Sequence, residues 1–153
     1  MSDAGLKRFS QRLQAIPQAA REAIQPVLQR QAAQIAGTMR YLAPDDPQTG
    51  APDLKTSIAV TPGGQSTPAH SQPGGAHLVP ENAVVITAGN SKVRYAHLVE
   101  FGTRARMMSS TRQASAHPGT SPQPFFWPAY RLHRKKALAA IKRGIGKAIK
   151  EAR

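Results

Sequence analysis

The sequence predicts an α+β fold. It comprises a long N-terminal helix, a small antiparallel β-sheet with long proline- and glycine-rich loops, a short helix at 95–102 and a basic amphipathic C-terminal helix. Three observations carry this expectation. Apolar residues recur at steps of three and four over residues 4–42. Two short β-branched stretches follow, separated by turn residues. A second helical stripe, dense in lysine and arginine, occupies the last quarter of the chain.

In the first element, Leu6, Phe9, Leu13, Ile16, Ala20, Ile24, Leu28, Ile35, Met39 and Leu42 fall on one helical face. Pro17 and Pro26 each remove a helical N–H, so kinks or a break are expected near them. The stretch "APDDPQTG", with Pro44, Pro47 and Gly50, ends the helix. Strands are expected at Leu54 to Val60 and at Ala83 to Gly89, where valine, isoleucine and threonine concentrate. The link between them, 61–82, holds repeated proline and glycine and is expected to be functional or mobile.

"YAHLVEFG" is compatible with two periods. As a strand, Tyr95, His97, Val99 and Phe101 share a face. As a short helix, Tyr95, Leu98 and Val99 do, and Gly102 then sits where a left-handed cap is wanted, which favours the helix. The loop 104–124, with three arginines and three prolines, is expected to be mobile. The last element opens at "PFFWPAY", with Pro128 in its first turn. Its expected apolar stripe is Leu132, Leu138, Ile141, Ile145 and Ile149, and Gly144 and Gly146 weaken it near its end. These elements form a single domain, 1–153, made of a helical arm (1–43), a β-rich core (54–102) and a C-terminal helix (125–153).

The supply of core residues is thin. Leu, Ile, Val and Phe number 28 of 153, and the 40% hydrophobic content rests largely on alanine. Such a chain is expected to settle fully only on assembly. It has no cysteine, which excludes disulfides and thiolate metal sites. It has no run of 18 apolar residues, and "MSDAGLKRFSQRLQ" lacks the apolar segment of a signal peptide, so a soluble protein is expected.

The net charge of +13 is unevenly spread. Residues 131–153 hold nine Lys/Arg against Glu151, whereas 44–103 are slightly acidic. Such a field favours a polyanion or an acidic partner surface. The residues expected to face it are Arg134, Lys135, Lys136, Lys142, Arg143, Lys147 and Lys150.

Catalytic signals are sparse. Asp45, Asp46 and Asp53 lie in a connector, where turns and caps ordinarily use them. Glu100 stands alone among patterned residues, without a visible partner for acid–base work. It is expected instead to hold its turn, or a neighbouring subunit, through an ion pair. His70, His77 and His117 sit in loops without zinc-ligand spacing. A metal-dependent enzyme using them with Glu100 is the weakest of three readings, and no cofactor is expected. Phe125, Phe126, Trp127 and Tyr130 could stack on bases, but such clusters more often anchor cores or interfaces.

The order of motifs resembles a known family. "APDDPQTGAPDLKTSI" leads through a strand to "YAHLVEFGT", then a variable loop, then "QPFFWPA" opening a helix. This resembles the tail-component family of long-tailed bacteriophages and prophages, the gene-product-ten-like family of lambdoid phages. The likeness runs from about Ala43 to the end. The matching positions are Tyr95, Ala96, Val99 to Thr103, Gln123 to Phe125, Pro128 and Ala129. Gln48 stands where members usually carry an acid before "TG", and the link between the strands is longer than usual.

The resemblance implies a non-enzymatic virion protein of the head–tail junction or tail end. It would form a ring, commonly six-fold, around the DNA channel and meet neck and tail neighbours. Tyr95, Glu100, Phe101, Gly102, Pro124, Phe125, Phe126, Trp127 and Pro128 would be structural or interface residues. The alternative is a free, non-sequence-specific nucleic-acid-binding protein that uses its basic helix.

Overall fold

The computed structural model of the chain describes residues 3–44, 53–109 and 114–151. The order of elements is α1 (Asp3–Leu42), β1 (Ala59–Pro62), β2 (Val84–Thr87), α2 (Ala96–Phe101), β3 (Arg106–Ser109), β4 (Ala114–His117) and α3 (Phe126–Glu151). The α+β class expected from the sequence is observed. Asp45, Asp46 and the "TG" at 49–50 lie outside the described residues.

Helix α1 runs for 40 residues, and its backbone stays helical through Pro17 and Pro26. Of the kinks or break expected near these prolines, a break is not observed. A lost hydrogen bond at each proline is outweighed by the continuity of the helix on either side. Helices α1 and α3 pack along each other in opposite directions, Val27 meeting Gly144 and Thr38 meeting His133. The α1 side of the core is Ala32, Ile35, Ala36, Met39 and Ala43. Leu42, assigned to this face by periodicity, is largely exposed, and Ala43 is buried in its place.

The buried face of α3 is also rotated from the expected stripe. Leu132 is 72% exposed and Leu138 48%, Ile141, Ile145 and Ile149 are half-buried, and Phe126, Ala129, Ala137 and Ala148 are buried. Small side chains let the two helices approach closely. A Cβ built on Gly144 would lie 3.1 Å from Val27 Cγ2, so this glycine serves close packing as well as lowering helix propensity. The Thr38 hydroxyl and His133 Nε2, 2.8 Å apart, tie the helices at mid-length.

Strands β1 and β2 pair antiparallel, with Ala59 opposite Thr87 and Pro62 opposite Val84. The first strand begins later than the sequence predicts, because Leu54–Ser57 form a turn. The Asp53 carboxylate accepts the Lys55 N–H at 2.9 Å, and Ser57 N–H bonds to the Leu54 carbonyl at 3.1 Å. An aspartate bonded two residues on competes with the strand ladder, and here it wins. Arg40 reaches across from α1 to the Ile58 carbonyl at 2.6 Å. Ile58, Ala88, Val93 and Phe125 complete the core beneath α1.

Residues 61–82 fold back on the sheet. Val79 is buried and exchanges backbone bonds with Gly64 and Gln65, both at 2.9 Å. Gln72 pairs with Ala88 through bonds of 2.8 and 2.9 Å. Within 104–124 the structure holds a hairpin, β3–β4, in which Arg106 faces His117.

Candidate functional site

The start of α3 poses a specific chemical problem. The first N–H groups of a helix lack intrahelical acceptors, and a nearby Ser, Thr, Asp or Asn normally supplies one. Here the local residues are Pro124, Phe125 and Phe126, none of which can accept through a side chain. The acceptor arrives from α2, 25 positions upstream. Glu100 Oε2 accepts the N–H of Phe125 at 2.8 Å and that of Phe126 at 2.9 Å. Its Oε1 accepts the Trp127 N–H at 3.1 Å. The next residue, Pro128, has no N–H to satisfy, so the helix entrance is complete.

Glu100 is only 6% exposed. Three N–H donors and the positive end of a 26-residue helix compensate its charge. Within the chain, it is backbone hydrogen bonds that Glu100 uses to hold this turn. Engaged at both oxygens, this carboxylate is a clasp on the start of α3. A neighbouring bond, Gln123 N–H to the Val99 carbonyl at 2.8 Å, holds the incoming chain against α2.

Gly102 completes the joint. Its φ of 71° and ψ of 177° place it in a region reserved for glycine, not in the left-handed helical cap conformation expected from the sequence. A Cβ there would stand 2.6 Å from the Thr120 carbonyl oxygen. The backbone passes this close because Thr103 and Thr120 exchange N–H to C=O bonds of 3.0 and 3.1 Å, with their hydroxyls 3.1 Å apart.

Phe125 and Phe126 lie in the core beside the clasp. The rings of Phe125, Phe126, Trp127 and Tyr130 follow one another edge to face, with centroids 6.5, 5.4 and 6.0 Å apart. A shallow, mainly apolar cleft opens between α2 and the start of α3, walled by Pro73, Ala96, His97, Phe101, Phe126 and Trp127. Phe101, on the cleft wall, is 65% exposed. Trp127 is also exposed, so the cleft has an aromatic rim, and exposed Tyr95 lies one residue before α2.

The loop histidines are not brought together. His77 Nδ1 lies 3.2 Å from the Thr67 hydroxyl and 3.1 Å from the Gly75 carbonyl, while His70 Nε2 lies 3.2 Å from Arg94. His117 Nδ1 accepts the Gly119 N–H at 3.0 Å. Among the described residues no three His, Cys, Asp or Glu side chains are grouped to hold a metal ion. Arg134, Lys135, Lys136, Lys142, Arg143, Lys147 and Lys150 are exposed along α3, and Lys147 pairs with Glu151 at 3.6 Å.

Sequence reasoning singled out Glu100 and the "PFFW" cluster without placing one on the other. It missed the Thr103–Thr120 latch, which no local pattern announces. Residues 7–102 match the model of a protein family described as "Bacteriophage HK97-gp10, putative tail-component". The match takes in most of α1, the β1–β2 sheet and α2, ending at Gly102 beside the clasp. No curated protein and no solved structure matches the chain.

Proposed function

The chain belongs to the HK97-gp10-like family of bacteriophage tail components. From that membership we propose that it is a structural, non-catalytic subunit of the virion. It assembles as a homo-oligomeric ring, six-fold in copy number, at the head–tail junction or tail end. There it completes the tail and joins it to the head around the DNA channel, in contact with neighbouring neck and tail proteins. The family match carries this reading, and the rim of the cleft supports it. A chain this poor in large apolar residues leaves Phe101, Trp127 and Tyr130 partly in water next to a rigid joint. Exposed aromatics grouped on ordered backbone are the composition of an interface centre.

In this reading Tyr95, Phe101 and Trp127 meet the adjacent subunit, while Glu100, Gly102 and Pro128 hold the backbone that presents them. The single domain gains much of its stability from its neighbours. Deletion of the gene gives unjoined heads and incomplete tails in electron micrographs, and joined infectious virions without it would end the proposal. Phe101→Asp combined with Trp127→Ala yields monomers by size exclusion with an unchanged far-ultraviolet circular dichroism spectrum. Rings of normal size from that variant would remove these residues from the interface.

A further inference from the structure

The outward face of α3 is the largest charged feature of the chain that the joint does not use. Arg131, Arg134, Lys135, Lys136, Lys142, Arg143, Lys147 and Lys150 are all exposed, and Glu151 is the one acid of the helix. The opposite face, through Ala129, Ala137 and Ala148, is buried. At 100° per residue six of the eight cations fall into two rows, with Arg134 and Lys147 flanking them. Arg131, Lys135 and Lys142 form one, and Lys136, Arg143 and Lys150 the other, with Ala139 and Gly146 between them. At a rise of 1.5 Å per residue they cover about 29 Å.

We propose that this face binds the phosphate backbone of duplex DNA without reading sequence. Lysine supplies five of the eight cations. Lysine is depleted at protein–protein interfaces, which are built on aromatic and apolar centres. Past Trp127 and Tyr130 at the start of the helix, the exposed large apolar residues are Leu132 and Leu138, set among the charges. The repeat suits a polyanion, since a duplex offers one charge per roughly 1.7 Å of its axis. The helix carries no Asn, Gln, Ser or Thr, so it lacks the amides that pair with adenine and the hydroxyls that supplement base reading. Arginine and lysine can also pair with guanine, so the proposal rests on the evenly repeated charge, which matches the phosphate spacing whatever the bases, and affinity falls steeply with salt. Placing this contact inside the virion rests on the ring reading above, but the binding itself is a property of the chain.

The test uses the full chain and a random-sequence 30-base-pair duplex, followed by fluorescence anisotropy between 50 and 200 mM salt. A variant with Lys135→Gln, Lys136→Gln, Lys142→Gln and Arg143→Gln loses about 3–4 units of the log–log salt slope, at 0.9 per phosphate contact. Its affinity at 100 mM salt drops by at least about tenfold. A control with Arg21→Gln, Arg30→Gln and Arg94→Gln keeps the slope within one unit. Circular dichroism confirms that both variants are folded.

An unchanged slope in the α3 variant overturns the proposal, as does an equal loss in the control. Displacement of the duplex by poly-glutamate at matched charge would assign the face to an acidic protein surface, which also overturns it. Loss of DNA binding with intact rings, or intact DNA binding with dispersed rings, separates this inference from the ring reading.

Discussion

Replacing Glu100 tests the central joint most directly. Its carboxylate accepts three N–H groups, of which those of Phe125 and Phe126 are buried. A buried donor left unmade costs about 1–3 kcal/mol. Glu100→Ala removes all three acceptors, although water entering from the cleft can reach the Trp127 N–H. The expected loss is about 3–6 kcal/mol, a large share of the 5–15 kcal/mol by which a domain is ordinarily stable. Glu100→Gln is the sharper variant, because it keeps shape and volume. Its one carbonyl oxygen can still accept from Phe125 and Phe126, but its amide group then faces the Trp127 N–H donor to donor. The helix also loses a negative charge at its positive end. Together these effects cost about 2–4 kcal/mol.

At roughly 2–4 °C per kcal/mol, the melting temperature of Glu100→Gln falls by about 5–15 °C. Urea titration and thermal melts measure that loss, and hydrogen exchange locates it. The amides of 125–127 should lose protection before those of α1. If Glu100→Gln melts within 1 °C of the parent and these amides stay protected, the three bonds are not what holds α3 in place.

Further substitutions probe the surrounding backbone and packing. Gly102→Ala forces a side chain into a glycine-only conformation and against the Thr120 carbonyl, and should cost about 2–4 kcal/mol in urea denaturation. Gly144 and Gly146 should behave oppositely although both are helical glycines. Gly146→Ala, with nothing within 4 Å of the new Cβ, stabilises by about 0.5–1 kcal/mol, whereas Gly144→Leu wedges α3 off Val27 and costs about 1–3 kcal/mol. The rotated face of α3 is checked by a second pair. Leu132→Gln should change stability by less than about 0.5 kcal/mol, while Ala137→Leu overpacks the α1 contact and costs about 1–3 kcal/mol.

The helices were the most legible part of the sequence, because their period repeats over many turns. Continuity through Pro17 and Pro26 was not legible, since local propensity favours a break and the length of the helix overrides it. The buried face of α3 was misplaced for a related reason. Hydropathy ranks Leu132 above Ala137, yet the separation of α1 and α3 is set by how small the contact residues are. The β3–β4 hairpin was invisible because "RMMS" and "ASAH" have little of the β-branched character that marks strands. The strings around Glu100 and Phe125 both stood out, but a bond between residues so far apart in sequence has no local signature. What sequence did offer was a chemical mismatch: an acid without a partner and a helix start without a cap.

The joint also changes what the intervening residues are free to do. Glu100 and Phe125 are bonded, and Thr103 and Thr120 close the chain just outside them, so everything between is an excursion whose two ends are already fixed together. Lengthening such a closed excursion is inexpensive, each doubling costing about 0.6 kcal/mol. Within it, 106–117 can therefore be shortened, extended or exchanged without disturbing the helices that carry it, whereas Gly119, with no room for a Cβ against the Thr103 carbonyl, belongs to the latch. A virion protein built this way could change its contacts by rewriting one segment, while the glutamate beneath keeps the platform constant.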